Sequence, residues 1–341
     1  MSRANRTPPL ATTPEGVSTP GLPLGAVYGR TFPAAGAAEF AQRLEGSGAA
    51  EFWVIEDCFF TSAPTLAASA LTRTDRLRVG IGIVPAVSRA AAVTAMEFAT
   101  LAGLGPGRLI GGIGHGVAEW MAQLGVLPGS PLTALEETLV AVRRLLAGER
   151  VSVTGRYVEL DHVQLDQPPS PVPRVLAGVR GPRSMAMAGR CADGVLLAEP
   201  AAATYVRWAR EAAGAGPDFP VHVFTVFGVD SDQAAARRMW SGFLGARIEE
   251  AAVGMTVLPF FDELRERWGT GGAAALETAP QEWWHELMAV GTPEDVSEHL
   301  SRLAAAGVAG TAFILSPDLA VAHGQLADIE SLLRRRNGTV H

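Results

Sequence analysis

The chain has 341 residues, a formal net charge of −7, 48% hydrophobic and 18% charged residues, and its 28 basic residues are all arginine. Without a lysine amine there is no Schiff base to a carbonyl substrate or pyridoxal phosphate, no Walker-type phosphate loop and no kinase strand lysine. The acidic balance argues against nucleic acid as a partner, which needs a dense cationic face.

Residues 1–21 are rich in Pro, Thr, Ser and Ala, with too few large apolar side chains to offset ordering entropy, and are expected to form a disordered leader. They carry no apolar run of the secretory type. From there to about residue 336 the pattern predicts one domain. The apolar run Leu24–Tyr28 predicts a strand and Ala37–Gly46 a helix. Phe52–Glu56 with Ala63–Arg73, Leu77–Val84 with Ala90–Leu104, and Leu109–Ile113 with Ala134–Leu146 repeat the alternation. Val151–Leu165 alternates around a Gly-Arg turn and predicts an inserted hairpin. Arg174–Gly178 with Arg183–Cys191, then Gly194–Ala198 and Val221–Val229, continue the series. A helical excursion at Trp240–Val290, carrying a GTGGAAA patch, precedes the helix Glu294–Ala306 and the strand Thr311–Leu315.

Strands that read as unbroken apolar runs are covered on both faces. Alternating with helices, they predict an α/β fold, a (β/α)8 TIM barrel with a hairpin insertion after the fourth βα unit and a helical insertion before the eighth strand. A doubly wound parallel sheet is the rival that periodicity leaves open.

Gly111–Gly116 (GGIGHG) follows a strand, but the third glycine of a dinucleotide fingerprint would fall at Val117. It reads either as a tight strand-end turn or as a place where a flat ring approaches the backbone, which brings Gly114 and His115 into question. Ala177–Arg183 ends a strand and opens a helix. Gly178, Val179, Arg180, Gly181, Pro182 and Arg183 there combine free amides, two guanidiniums and a proline suited to a first helical turn. That is an anion cradle, unless it is an ordinary loop with solvated arginines. Glu56-Asp57-Cys58 ends the second strand beside Phe59 and Phe60. A carboxylate or thiol there could handle a proton, although Asp57 as a cap and Cys58 as a small buried group account equally for these residues. The 7 histidines are scattered without ligand spacing, so no metal site is expected, and no G-x-S-x-G elbow occurs. Cys58 and Cys191 are two lone thiols, which fits a reducing, cytoplasmic setting, and no apolar run is long enough for a membrane span.

Taken in order, FWVIED, LRVGIGIVPAVSR, LGPGRLIGGIGHG, LLAGERVSVTGRYVELD, VPRVLAGVRGPRSMAMAGRCADGVLL and GTPEDVSEHLSRLAAAGV resemble the luciferase-like superfamily of flavin and deazaflavin oxidoreductases, from Leu24 to Leu333. The resemblance implies a (β/α)8 barrel, a homodimer, a small-molecule substrate, and a cofactor that is either the deazaflavin coenzyme F420 or FMN. It also implies a bulge with a non-prolyl cis peptide behind the ring, aligned with Gly82-Ile83 and followed by Val84. The cofactor's phosphate site maps onto Gly178–Arg183, and His115 and Trp120 fall near the ring. Sugar-phosphate dehydrogenases of the superfamily carry a catalytic histidine where this chain has Cys58, while their preceding carboxylate matches Asp57. Their proposed proton donor, a glutamate, aligns with Val117. These departures argue against glucose 6-phosphate oxidation by that route. The expected function is hydride transfer between F420 and an organic substrate, reducing an activated C=C or C=N bond, with Asp57, Cys58 and His115 as catalytic candidates. An FMN-dependent monooxygenase and a non-catalytic cofactor-binding barrel are the alternatives.

Overall fold

The computed structural model describes residues 21–338; the predicted leader, apart from Gly21, lies outside the described residues. β1 (Leu24–Tyr28) is buried along its length and leads to α1 (Ala37–Gly46), which buries Phe40, Ala41 and Leu44 on one stripe. β2 (Glu51–Val54) and α2 (Ala63–Leu71) follow, then β3 (Arg78–Ile81), the two-residue β4 (Val84–Pro85) and α3 (Ala91–Leu104). β5 (Leu109–Gly114) is succeeded by the short α4 (Ala118–Gln123) and by α5 (Pro131–Leu146), whose start is set by the Ser130 cap and Pro131. The predicted hairpin is β6 (Val151–Thr154) and β7 (Glu159–Val163), with the Glu137 carboxylate of α5 accepting from the turn amides of Arg156, Tyr157 and Val158.

β8 (Arg174–Gly178), α6 (Pro182–Cys191), β9 (Gly194–Leu197), α7 (Ala203–Ala213) and β10 (Val221–Val229) complete the central run. The excursion consists of α8 (Gln233–Glu250), α9 (Val253–Thr256), α10 (Phe261–Glu277) and α11 (Gln281–Leu287). It is followed by β11 (Ala289–Gly291), α12 (Pro293–Ala305), β12 (Val308–Ile314) and α13 (Leu319–Gly338). The strands β1-β2-β3-β5-β8-β9-β10-β12 pair in that order, all parallel, and β12 returns to β1, so the sheet closes and the doubly wound alternative falls.

The departures from the expected elements are local. The run Leu77–Val84 is not one strand: the Gly82–Ile83 peptide is cis, and Val84 resumes pairing with Ile113 as β4. The excursion begins at Gln233 rather than Trp240, and the last two residues of the predicted span, Ala289 and Val290, belong to β11, which pairs with β10 and is too short a strand to leave a periodic signal. The GTGGAAA patch lies inside α10, where Gly272 takes φ 55° and kinks the helix.

Inside the barrel, Trp53, Ile110, Leu176, Leu196 and Phe224 pack as an apolar layer, with Ile55, Ile83 and Ile314 above it. At the opposite, amino end sits a polar plug. Glu51, wholly buried, accepts from Arg78 Nη2 at 2.7 Å and Trp53 Nε1 at 2.8 Å, and His222 Nδ1 stands 3.5 Å away. Gly310 is needed beside it, because an added Cβ would lie 2.5 Å from Glu51 Oε1. Burial alone would raise this carboxyl's pKa, but the charges of His222 and Arg78 with the hydrogen bonds hold it at about 2.

Candidate active site

At the carboxyl ends of the strands the loops enclose a cavity of about 1100 Å³. Small-molecule sites run to roughly 1,000 Å³, so there is space for a large ligand and a small one together. Its floor is apolar, made by Ile55, Ile83, Leu196, Phe224 and Ile314. The Ile83 side chain packs against Gly178, where an added Cβ would lie 2.6 Å from Ile83 Cγ2.

One end of the cavity is the loop Gly178–Gly181 that starts α6. This helix has no side-chain cap, so its first amides keep their hydrogen-bonding capacity. Arg180 lines the cavity, is exposed, and its guanidinium has no ion pair or hydrogen bond among the described residues. His115 reaches the same turn, with Nε2 3.2 Å from Ser184 Oγ, while its Nδ1 is buried without a hydrogen-bond partner. Burial pushes the His115 pKa below its ordinary value, which favours the neutral ring.

At the rim, Arg30 donates to Asp57 at 2.7 Å and lies over the Phe60 ring at 4.8 Å. Glu56 accepts from Arg89 at 2.7 Å and from the Ala63 amide at 3.2 Å. The far wall is built by the end of β9 and by α8. Glu199 there faces Arg247, and Arg247 pairs with Glu250 at 2.5 Å.

Of the residues singled out from the sequence, Asp57, Gly82, Ile83, His115, Trp120, Gly178, Val179, Arg180 and Gly181 come together on the cavity wall. The others stand off it. Val84 is wholly buried in the outer core, between the sheet and the helices. Gly114 is packed in the ladder, where an added Cβ would lie 2.9 Å from the Gly178 carbonyl oxygen. Pro182 and Arg183 are exposed on the first turn of α6, outside the cavity lining. Cys58 is half-buried and outside the lining, and burial, then the Glu56 and Asp57 carboxylates, push its thiol pKa up. The sequence reading missed Arg30, Ser184, Phe224 and the Glu199–Arg247–Glu250 wall. Glu199 had a signal, since it follows a predicted strand's carboxyl end as Asp57 does; α8 gave none. Among the described residues no group of three or more His, Cys, Asp or Glu could hold a metal ion, and no helix is long and apolar enough to cross a membrane.

A flat tricyclic ring with a phosphate-bearing tail suits these surfaces. The floor is apolar and the orphaned His115 Nδ1 asks for a polar partner. The guanidinium of Arg180, near the uncapped start of α6, would suit an anion. Gly181 borders open space, an added Cβ there meeting nothing within 4 Å.

A closed (β/α)8 barrel with a large cavity at its carboxyl face, apolar on the floor and bordered at one end by Arg180 and an uncapped helix start, has the layout of a barrel enzyme. More particularly, the luciferase-like monooxygenase family matches residues 13–310, and the chain belongs to that family. It is 26% identical over 207 residues to a 5,10-methylenetetrahydromethanopterin reductase of Methanolobus tindarius, covering 59% of this chain and 63% of that protein. It is 34% identical over 129 residues to an F420-dependent glucose-6-phosphate dehydrogenase of Nakamurella multipartita, covering 36% of this chain and 38% of the other. The matched segments thus span less than two thirds of these curated relatives. The coenzyme F420 dependent tetrahydromethanopterin reductase of Methanopyrus kandleri shares the fold, with a TM-score of 0.72 at 20% identity over 92% of this chain and 98% of that one.

Proposed function

We propose that this protein is an oxidoreductase that uses the deazaflavin F420 to reduce an activated C=C or C=N bond of a small organic substrate. The observation that carries the reading is one cavity combining the Gly82–Ile83 bulge on an apolar floor with an unpaired Arg180 at the uncapped start of α6. The names of the two curated relatives, one F420-dependent and one a methylenetetrahydromethanopterin reductase, favour the deazaflavin over FMN. When bound, the reduced deazaflavin supplies a hydride.

The residues of this chain then bind and orient. Ile83, Leu196 and Phe224, on the apolar floor, would hold the ring and exclude water from it. The amides of Val179 to Gly181, with Arg180, Ser184 and His115, hold the phosphate-bearing tail. A neutral His115 has no readily released proton, so we assign it to positioning the tail through Ser184. Asp57, bonded to Arg30, shapes the mouth. Cys58, with its raised pKa and its place off the cavity wall, is assigned no part in proton transfer. The two free thiols fit a reducing cytoplasm. Exposed Val93, Met96 and Leu104 on α3 fit a face covered by a second copy in a homodimer.

Equilibrium dialysis of the purified chain against F420 and, separately, FMN tests the assignment. Micromolar binding of the deazaflavin with much weaker FMN supports it. Preference for FMN turns the search to oxygen-dependent oxidations, and binding of neither refutes it. His115→Ala should weaken F420 binding, and unchanged binding would remove His115 from the tail site.

A further inference from the structure

Four carboxylates line the cavity: Glu56, Asp57, Glu199 and Glu250. Three are engaged. Glu56 takes Arg89 and the Ala63 amide, Asp57 takes Arg30, and Glu250 takes Arg247 while 45% of its side chain stays in water. Glu199 differs from all of them. It follows β9 at the carboxyl face with only 16% of its side chain exposed, and its closest cation, Arg247 Nη1, stands 3.7 Å from Oε1, beyond hydrogen-bond length. The charged groups facing it are Arg247 and Glu250 from α8 and Arg180 from the loop after β8. Leu196, on the cavity floor, belongs to the same strand.

A largely buried carboxyl with no saturating partner is costly as an anion and cheap as an acid. Burial accordingly pushes Glu199 above the ordinary carboxylate range, its own backbone amide, Arg180 and Arg247 pulling partly back and the Glu250 charge adding to the rise.

We propose that Glu199 is the proton donor of the reaction. The inference rests on the reductase reading above. Hydride addition to one atom of an activated double bond leaves an electron pair on its conjugate or partner atom. The Glu199 O–H bond breaks, the proton forms the new C–H or N–H bond, and the substrate gains two electrons from the reduced deazaflavin and one proton from the protein. The charges of Arg247, 3.7 Å away, and of Arg180 stabilise the carboxylate left behind, and solvent at the mouth beside the part-exposed Glu250 returns the proton.

Infrared titration of the chain labelled with ¹³C at glutamate carboxyls reads the proton without any ligand. The wild type should show carboxylic acid signal that persists above the ordinary glutamate range, part of it from Glu97, whose pKa burial also raises, and part of it removed by Glu199→Gln. In parallel, F420 dialysis and reduction of 2-cyclohexen-1-one by bound, reduced F420 are measured for the wild type, Glu199→Gln and Glu199→Asp. Glu199→Gln should keep F420 affinity and lose about 100-fold or more in turnover, with Glu199→Asp between. A titration identical in wild type and Glu199→Gln overturns the proposal, as does undiminished turnover or a loss of F420 affinity in that variant. Failure of the wild type to bind F420 or reduce the enone counts against the reductase reading instead, and the infrared result still decides whether Glu199 holds a proton.

Discussion

Glu51 offers the sharpest test of how the barrel is held together. Replacing it with Gln keeps the side-chain shape but removes the negative charge that Arg78 and His222 face at the amino end of the lumen. The carboxyl is wholly buried and its pKa is lowered from 4.5 to about 2, so its charged form is favoured by folding. At 1.36 kcal/mol per pKa unit this is about 3 kcal/mol at neutral pH, in line with the loss on breaking a buried pair. For a chain this size that is a melting point lower by about 4–5 °C. The sign follows from linkage. A carboxyl with a lowered folded pKa contributes fully above its unfolded value of 4.5 and loses that contribution as pH falls towards about 2. By pH 3.5 roughly 1 kcal/mol has gone, because the unfolded chain is mostly protonated there and the folded chain is not. Urea unfolding of wild type and Glu51→Gln at pH 7, 4.5 and 3.5 should therefore show a gap that narrows on acidification. A gap that stays constant across this range, or no gap at pH 7, would refute the account.

Arg180→Gln should lower F420 affinity by about 5- to 30-fold, the worth of one partly exposed charge-assisted hydrogen bond, whereas Arg183→Gln, off the cavity wall, should do less; dialysis that ranks them the other way would relocate the anion site. His299 is buried between Thr225 and the His285 carbonyl oxygen, and burial lowers its pKa from 6.5 to about 4. The unfolded ring therefore takes up a proton that the folded ring refuses, and the wild type should lose about 2 kcal/mol between pH 7 and 5. His299→Gln should flatten that slope in urea titrations, and an unchanged slope would count against it. Gly178→Ala should push Ile83 off its place on the floor and cut F420 binding by about 10-fold or more at the lower end of overpacking costs, with little change in the melting curve; intact binding would mean that Ile83 does not support the ring.

The alternation of strands and helices was legible because parallel strands covered on both faces read as nearly continuous apolar runs, as Leu24–Tyr28 does and as Val221–Val229 does apart from His222 and Thr225. The loop that opens α6 was legible for a similarly local reason, since a glycine loop, a proline and a helix start lie within one short segment, Gly178 to Arg183. The Gly82–Ile83 bulge was legible only through the resemblance of LRVGIGIVPAVSR to a known pattern. Adjacent Asp57 and Cys58 looked equivalent, yet one lines the cavity and the other does not. Cys58 lies inside a turn that the Phe60 amide closes on the Asp57 carbonyl oxygen and in which Phe59 takes φ 73°, and that turn, not strand alternation, separates the two side chains.

What the sequence determined by itself was the local periodicity, the loops that present free amides, and the exclusion of lysine chemistry. Tertiary structure alone decided the roles of the carboxylates. Glu51 and Glu199 both sit at strand ends, but barrel closure seals one against Arg78 and His222 and leaves the other facing a cavity beyond hydrogen-bond reach of Arg247. A carboxyl's charge state depends on the partners and water within a few ångströms, and folding brings those together from distant parts of the chain.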